Sequence, residues 1–413
     1  IAILIVFWRK EVIMALLVAV ASSEFLLALN GEGNTLFFTF INTIERVIEV
    51  ASSPGNSRIL IFSVLIGALL AYIRESGGVA ATVNLLMNKG VAKSKRQVGY
   101  LTMFSGIAVF IESNLSVLTS GILSRGLFDK FKMSRARLAY IIDSTSAPVC
   151  ILILLNGWGA YVLGLLGNYE MEESAVSVLW GSIGYNFYAI IALLIVFYTI
   201  TFDKVHGPLK QAEENFEQQE TELAEEVKGS KARYMLVPLI TLIGSMVGFM
   251  FWTGDGDIAS GSGSKSVLYA TILACVVAYF LMISSREFTH HKLVDIGFKG
   301  MGELLPLVSI VLLSLTLGAS LKDLGTGVFV AGLVGDFLPI YLVVPVLFIT
   351  GAVISFTTGT SWGTFAILIP IGVPLIQALG LPPSLVIAAI LGGGVFGDHC
   401  SPISDTSAVS AIA

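Results

Sequence analysis

Two regions of this chain interrupt long apolar runs, each of them twice and with the same kinds of residue. The first region holds FIESNLSVLTSG at 110–121 and YIIDSTSAPVC at 140–150; the second holds SFTTGTSWGT at 355–364 and FGDHCSPISDTS at 396–407. In each, a break rich in Ser, Thr, Asn or Gly precedes a break in which Asp is followed by Ser and Pro. Hydrocarbon tolerates open backbone and carboxylates only where protein or a water-filled cavity encloses them. Discontinuities at corresponding places in two halves point to an internal repeat that builds a binding site near the bilayer midplane.

That the surroundings are a bilayer follows from composition: 55% hydrophobic and 13% charged residues leave too little polar surface for a soluble domain. Apolar stretches recur at 11–29, 58–73, 137–156, 183–202, 234–252, 267–285 and 305–321. A span needs roughly 20 apolar residues, which predicts an all-α polytopic membrane protein of about ten to twelve helices plus shorter broken pieces. The chain starts at Ile1 and stops in an apolar run, so trimming at both ends is expected, and nothing resembles a cleaved signal peptide.

The bases assign sides. Lys89, Lys93, Lys95 and Arg96 form one cluster, Arg125, Lys130, Lys132, Arg135 and Arg137 a second, and others sit in 204–233 and 286–299. By the positive-inside rule these loops are cytoplasmic, and no Lys or Arg follows Lys322. Residues 97–131 therefore leave and regain the same side on arms too short to cross, which predicts a re-entrant hairpin with Glu112, Ser113, Asn114 and Thr119 at or near its tip. Residues 342–380 repeat the design around Thr358, Thr360 and Ser361 without a basic flank, and are predicted to open from the other side, as inverted repeats require. The expected organisation is a first transmembrane half, 1–202, with a broken helix at 137–166; an acidic linker, 203–233; and a second half, 234–413, with a broken helix at 384–413. The linker, whose core reads QAEENFEQQETELAEE, is predicted to be a solvated connection on the cytoplasmic side. The loop TGDGDIASGSGSKS begins like a calcium loop, but Ser266 stands where an EF-hand needs Glu.

The chemistry lies in the second break of each half. Asp143 precedes Ser144, Thr145, Ser146 and Pro148, and Pro148 cannot continue the hydrogen-bond ladder, so carbonyls near it are freed. Carbonyl, hydroxyl and carboxylate oxygens together suit a hard monovalent cation. The plainer reading is a proline kink with a locally satisfied Asp; the cost of an intramembrane carboxylate favours function. Asp398 and Asp405 flank a similar break at Ser401 and Pro402, with His399 and Thr406 beside them. In an unbroken helix the two acids would share one face. Close carboxylates in a low dielectric make protons and cations compete for the same groups, which is what a cation/proton exchanger requires. Asp143, Asp398 and Asp405 are thus the candidate ligands of such a cation, sodium among them. For His399, proton handling and a packed role are both open. Gly392, Gly393, Gly394 and Gly397 suit close helix packing. Cys150, Cys275 and Cys400 show no metal-ligand spacing.

The strings KFKMSRARLAYIIDSTSAPVC, NGWGAY and GDHCSPISDTS resemble the NhaC family of sodium/proton antiporters, within the wider ion transporter superfamily, and the likeness runs over most of the chain. The resemblance implies an inverted-repeat fold with two re-entrant hairpins and two broken helices, an elevator-type movement of that core against a scaffold, a homodimer, and the inner (plasma) membrane. Where such antiporters commonly carry paired aspartates at the first hairpin, this chain has Glu112-Ser113-Asn114, closer to the Ser-Asn-Thr signature of carboxylate carriers in the superfamily. The family also holds malate/lactate exchangers and a protein linked to tetracycline efflux, so an organic substrate is the alternative cargo.

Other classes fit less well. An intramembrane aspartyl protease needs Gly-x-Gly-Asp, and Val395 stands where the first Gly belongs. A channel needs a continuous pore, whereas paired hairpins suit occlusion. The expected partners are the lipid bilayer, a small cation and the proton; no cofactor and no nucleic acid is expected, and no enzymatic activity.

Overall fold

A computed structural model of the chain describes every residue except 1, 10, 30–34, 79–80, 83–93, 111–112, 155, 168, 216–229, 259–260, 327–328, 330–331, 333–338 and 413. The described residues are helical, without strands. Among them eight helices are long and apolar enough to cross a membrane, nine if one bent pair counts as a span. That is fewer than the ten to twelve expected, because several apolar runs are cut into shorter helices by caps and breaks, Val12–Ala28 and Ala175–Tyr185 among them.

In the first half α1 (Ala2–Arg9), α2 (Val12–Ala28), α3 (Thr35–Ser52) and α4 (Pro54–Glu75) precede a helical hairpin, α5 (Lys95–Ala108) and α6 (Ser113–Lys130). The hairpin folds back on itself: Thr102 donates to Ser124 at 2.9 Å, and Ser116 to the carbonyl of Gly106 at 2.9 Å. A broken helix follows as α7 (Arg135–Ser144), α8 (Ala147–Leu152) and α9 (Gly157–Leu166), the last bent by 45° from the first two. Two helices complete the half, α10 (Ala175–Tyr185) and α11 (Phe187–Phe202). After α12 (Gly207–Glu214) the second half begins with α13 (Arg233–Thr253), α14 (Gly263–Ser284), α15 (His290–Glu303) and α16 (Leu305–Asp323). A second hairpin, α17 (Ile340–Thr358) and α18 (Ser361–Leu379), turns at Gly359, whose φ of 70° suits a residue without Cβ. Its arms of 19 residues differ from the short re-entrant design, since each is long and apolar enough to cross. The chain closes with α19 (Pro383–Cys400), a break at 401–404, and α20 (Asp405–Ile412).

Three of the basic loop regions, 125–137, 203–233 and 286–299, are joined by described contacts. Ser134 and Arg137 of the second cluster bind Asp203 and Glu213 beyond α11, while Lys231 pairs with Glu287 at 2.5 Å. That last pair lies at the surface; it holds the Glu287 carboxyl below the usual carboxylate range and the Lys231 ammonium above its own. Large apolar side chains of α3 and α11, including Phe37, Phe40, Leu194 and Phe197, lie exposed, as lipid-facing surfaces must.

Helices α17 and α19 are the most closely packed pair, and they run in parallel. Gly393 lies against Phe348, Gly397 against Ala352, and Ser401 against Phe356, a constant offset along both helices. A Cβ on Gly393 or Gly397 would overlap the carbonyl of its neighbour on α17. Replacing Gly397 by Leu is therefore expected to lower stability by about 1 to 3 kcal/mol or more. Thermal melting of the purified variant checks this; an unchanged midpoint would mean that the helices part without cost.

Candidate functional site

Each hairpin turn docks on the broken helix of its own half. The first turn presents the carbonyl of Phe110 to Asn156, whose Nδ2 donates to it at 3.0 Å and to the carbonyl of Cys150 at 2.9 Å. Asn156 also caps α9, accepting from the amides of Trp158 and Gly159. At the second turn Ser401 donates to the carbonyl of Phe356 at 2.7 Å, and Ser361 donates to Asp398 Oδ2 from its hydroxyl at 2.8 Å and its amide at 3.3 Å. A carboxylate at the first turn of α18 lies where that helix's dipole and unsatisfied amides favour an anion.

The halves meet at Asp143. This residue is the last but one of α7, beside the break at Thr145–Ser146, and is 9% exposed, while Asp398 is 6% exposed. From the other half His399 reaches across: its Nε2 stands 3.5 Å from Asp143 Oδ2 and 3.3 Å from Ser144 Oγ. The ring is fixed from its far side by Tyr188 of α11, whose hydroxyl lies 2.5 Å from Nδ1. Asp398 and Thr406 are both near enough to Asp143 to act on it, one by charge and one by its hydroxyl, and Asp143 Oδ1 is buried without a hydrogen-bond partner. An ionised carboxylate accepts only, so an unsatisfied buried oxygen calls for a proton or a cation. Two buried carboxylates within electrostatic reach of each other repel, and a bound proton or cation reduces that repulsion.

The other predicted hydroxyls turn toward the backbone. Thr145 donates to Ile141, Ser146 to the carbonyl of Asp143, and Thr358 to Ile354, each at 2.7 to 2.9 Å; Thr360 accepts through its carbonyl from Thr364. Ser113 is buried at the start of α6. Glu112 lies outside the described residues, as do the side chains of Asn114, Thr119 and Asp405, so the first hairpin tip adds no described contact to the site. Among the described residues no three His, Cys, Asp or Glu side chains form a metal-binding group.

Two features escaped the sequence. Tyr188 sits in a uniformly apolar run and carries no motif. Glu24, 2% exposed on α2, accepts from Ser320 at 2.8 Å and pairs with Arg46 at 3.0 Å, and Arg46 continues to Asp323 at 2.8 Å. This network ties α2, α3 and α16 together; its signal was a lone acid within an apolar stretch that the span count absorbed.

The family model described as the Na+/H+ antiporter family matches residues 149–413. The chain belongs to the Na+/H+ antiporter family. It is a multi-pass membrane transporter, not an enzyme. The matched stretch contains Asp398 and His399 and begins just after Asp143. An uncharacterized protein of Haemophilus influenzae is 28% identical over 99% of this chain and 82% of its own length. A Bacillus subtilis protein described as a malate-2H(+)/Na(+)-lactate antiporter is 42% identical over a local stretch covering 14% of this chain and 13% of that one. The fold is similar to that of Neisseria gonorrhoeae MtrF, described among antimetabolite efflux pumps, with a TM-score of 0.59, 12% identity, and coverage of 97% of this chain and 88% of that one.

Proposed function

We propose that this antiporter exchanges a monovalent cation, sodium first, for protons at the paired carboxylates Asp143 and Asp398. The observation that carries the reading is the buried Oδ1 of Asp143, which has no hydrogen-bond partner, in a carboxylate that lies within electrostatic reach of Asp398. One monovalent cation takes the charge of the pair from two negative to one, and so does one proton; either relieves the repulsion between the carboxylates, so the two compete. His399 bridges Asp143 and Tyr188, so that its ring can hold a proton on one nitrogen while the other accepts. Asp398, already anchored on α18, would report occupancy to the second hairpin through Ser361. The shared order of the two halves, hairpin then broken helix, supports an inverted repeat moving elevator-fashion against the remaining helices. Homodimeric assembly in the inner membrane follows from the family resemblance.

Shared use of one site predicts that apparent cation affinity weakens about tenfold per unit as pH falls below the site's macroscopic titration point, one proton being displaced per cation. Calorimetry with sodium or potassium on purified protein between about pH 5.5 and 9, in buffers of different ionisation enthalpy, counts the released protons. Affinity independent of pH, with no proton release, sinks the shared-site reading. An organic-acid cargo of the kind carried by the Bacillus subtilis relative finds less support, since no Lys or Arg accompanies Asp143 or Asp398 in either motif.

A further inference from the structure

Three helices begin around one cavity of about 290 Å³. Two of them, α4 and α14, run from this end toward the basic stretches at 89–96 and 286–299, so by the positive-inside rule the cavity lies on the outer side. Its walls include the second and third residues of α4, Gly55 and Asn56, and the first two residues of α10, Ala175 and Val176, and of α14, Gly263 and Ser264. Amides in the first turn of a helix have no carbonyl partner within that helix. Among the described residues none of these six amides meets another acceptor, so three sets of unsatisfied N–H groups border one space.

The lining decides what the space can hold. Each helix start carries roughly half a positive elementary charge, so three of them bring about one and a half to a cavity with no charged side chain among its described lining residues. Glu172 and Glu173, which precede α10, are exposed and outside the lining, and Lys265 follows Ser264 on α14. Water leaves the charge of the helix starts standing; an anion of about one to two charges offsets it. Hydroxyls add donors: Ser53 and Ser262 occupy the cap positions of α4 and α14, yet neither side chain accepts from its own helix. One atom asks for the opposite. Asn56, 5% exposed, spends Nδ2 on the carbonyl of Val50 at 3.0 Å, and its Oδ1 is buried without a hydrogen-bond partner. An amide oxygen only accepts, so an occupant that satisfies it must bring a hydrogen of its own.

We propose that this cavity binds a small oxyanion that still carries a hydroxyl, inorganic phosphate being the simplest case. Its ionised oxygens would accept from the amides of the three helix starts, and its P–OH would donate to Asn56 Oδ1. Sulfate near neutral pH and the phosphodiester of a lipid headgroup have the charge but no hydroxyl on sulfur or phosphorus to give. The occupant would tie α10, whose Val178 carbonyl accepts from Ser384 of α19 at 3.1 Å, to α4 and α14. The proposal goes beyond the cation/proton reading, because it uses neither Asp143 nor Asp398.

The test is equilibrium dialysis of radiolabelled phosphate against the purified full chain in phosphatidylcholine nanodiscs near neutral pH, with empty nanodiscs as the control. Saturable binding of one phosphate per chain is expected, with sulfate and dimethyl phosphate competing at least about tenfold less well than unlabelled phosphate. Asn56→Ala should erase that preference: phosphate weakens about tenfold while labelled sulfate stays within about twofold, a split that a general loss of structure would not produce. If Asn56→Ala fails to fold, Gly55→Val decides, since a Cβ there meets nothing nearer than the hydroxyl of Ser53, at 4.0 Å, and the added side chain takes up space beside the amides. Folded Gly55→Val protein should lose phosphate binding, and unchanged binding overturns the proposal. So does the absence of saturable phosphate binding, which would leave the cavity to water, and so does competition by sulfate or dimethyl phosphate as strong as by phosphate, which would make it a seat for any anion or for a lipid headgroup. Because no exchange is measured, this failure stays separate from failure of the antiport reading, which only the cation and proton calorimetry addresses.

Discussion

Asp398→Asn is expected to abolish cation/proton exchange, by at least about a hundredfold in proteoliposomes, while the protein still inserts and runs as a single species on gel filtration. The amide keeps the volume of the carboxylate, and its oxygen still accepts from the Ser361 hydroxyl and amide, so the anchor of α18 survives. What disappears is the titratable charge within electrostatic reach of Asp143. Asp143→Asn should do the same, since it removes the titratable charge that His399 Nε2 meets at 3.5 Å without disturbing the break at Thr145–Ser146. Wild-type collapse of a pH gradient on adding sodium, in either purified variant, would remove these carboxylates from the mechanism.

The second large effect is on stability. Arg137, 2% exposed, holds Asp203 at 2.7 Å, Glu213 at 3.3 Å and the carbonyl of Thr199 at 3.2 Å. Arg137→Met leaves two acids facing a gap from which the guanidinium has gone, at an expected cost of about 2 to 3 kcal/mol, less than a fully buried triad because Asp203 is partly in water. Adding Glu213→Gln should restore part of the loss, and Arg137→Lys should not, since one ammonium cannot serve three acceptors spread in this way. Thermal melts of the four proteins decide it; equal midpoints for Arg137→Met and wild type would show that α12 only rests beside α7.

These two expectations also mark where the sequence was legible and where it was not. Breaks announce themselves locally: Pro148 and Pro402 cannot donate to a helix, and Gly359 can turn where other residues strain. The all-helical membrane class, the position of the second turn and the helix ends near Asp143 and Asp398 could therefore be read from short strings. Arg137 looked like one member of a basic cluster and Glu213 like one acid of a solvated linker, because their contact crosses 76 residues and no local pattern records it. Tyr188 was hidden for the same reason: its partner His399 lies 211 residues on. The bounds of the second hairpin, 342–380, were legible to within two residues of Ile340–Leu379; that each arm is long and apolar enough to cross was not, because a polar turn resembles the tip of a short loop whatever the length of its arms.

The glycine face between α17 and α19 has a meaning apart from packing. An exchanger that stores energy as an ion gradient must not let the gradient run down beside the carrier site, and a proton needs only a thread of water to do so. With Gly393 and Gly397 the two backbones approach so closely that no side chain fits between them, and helical carbonyls in such a seam are engaged by their own amides. The seam runs alongside the helix that ends near Asp398. Under the proposed exchange such a seam would act as electrical insulation, leaving the titratable groups as the route for charge that crosses the membrane.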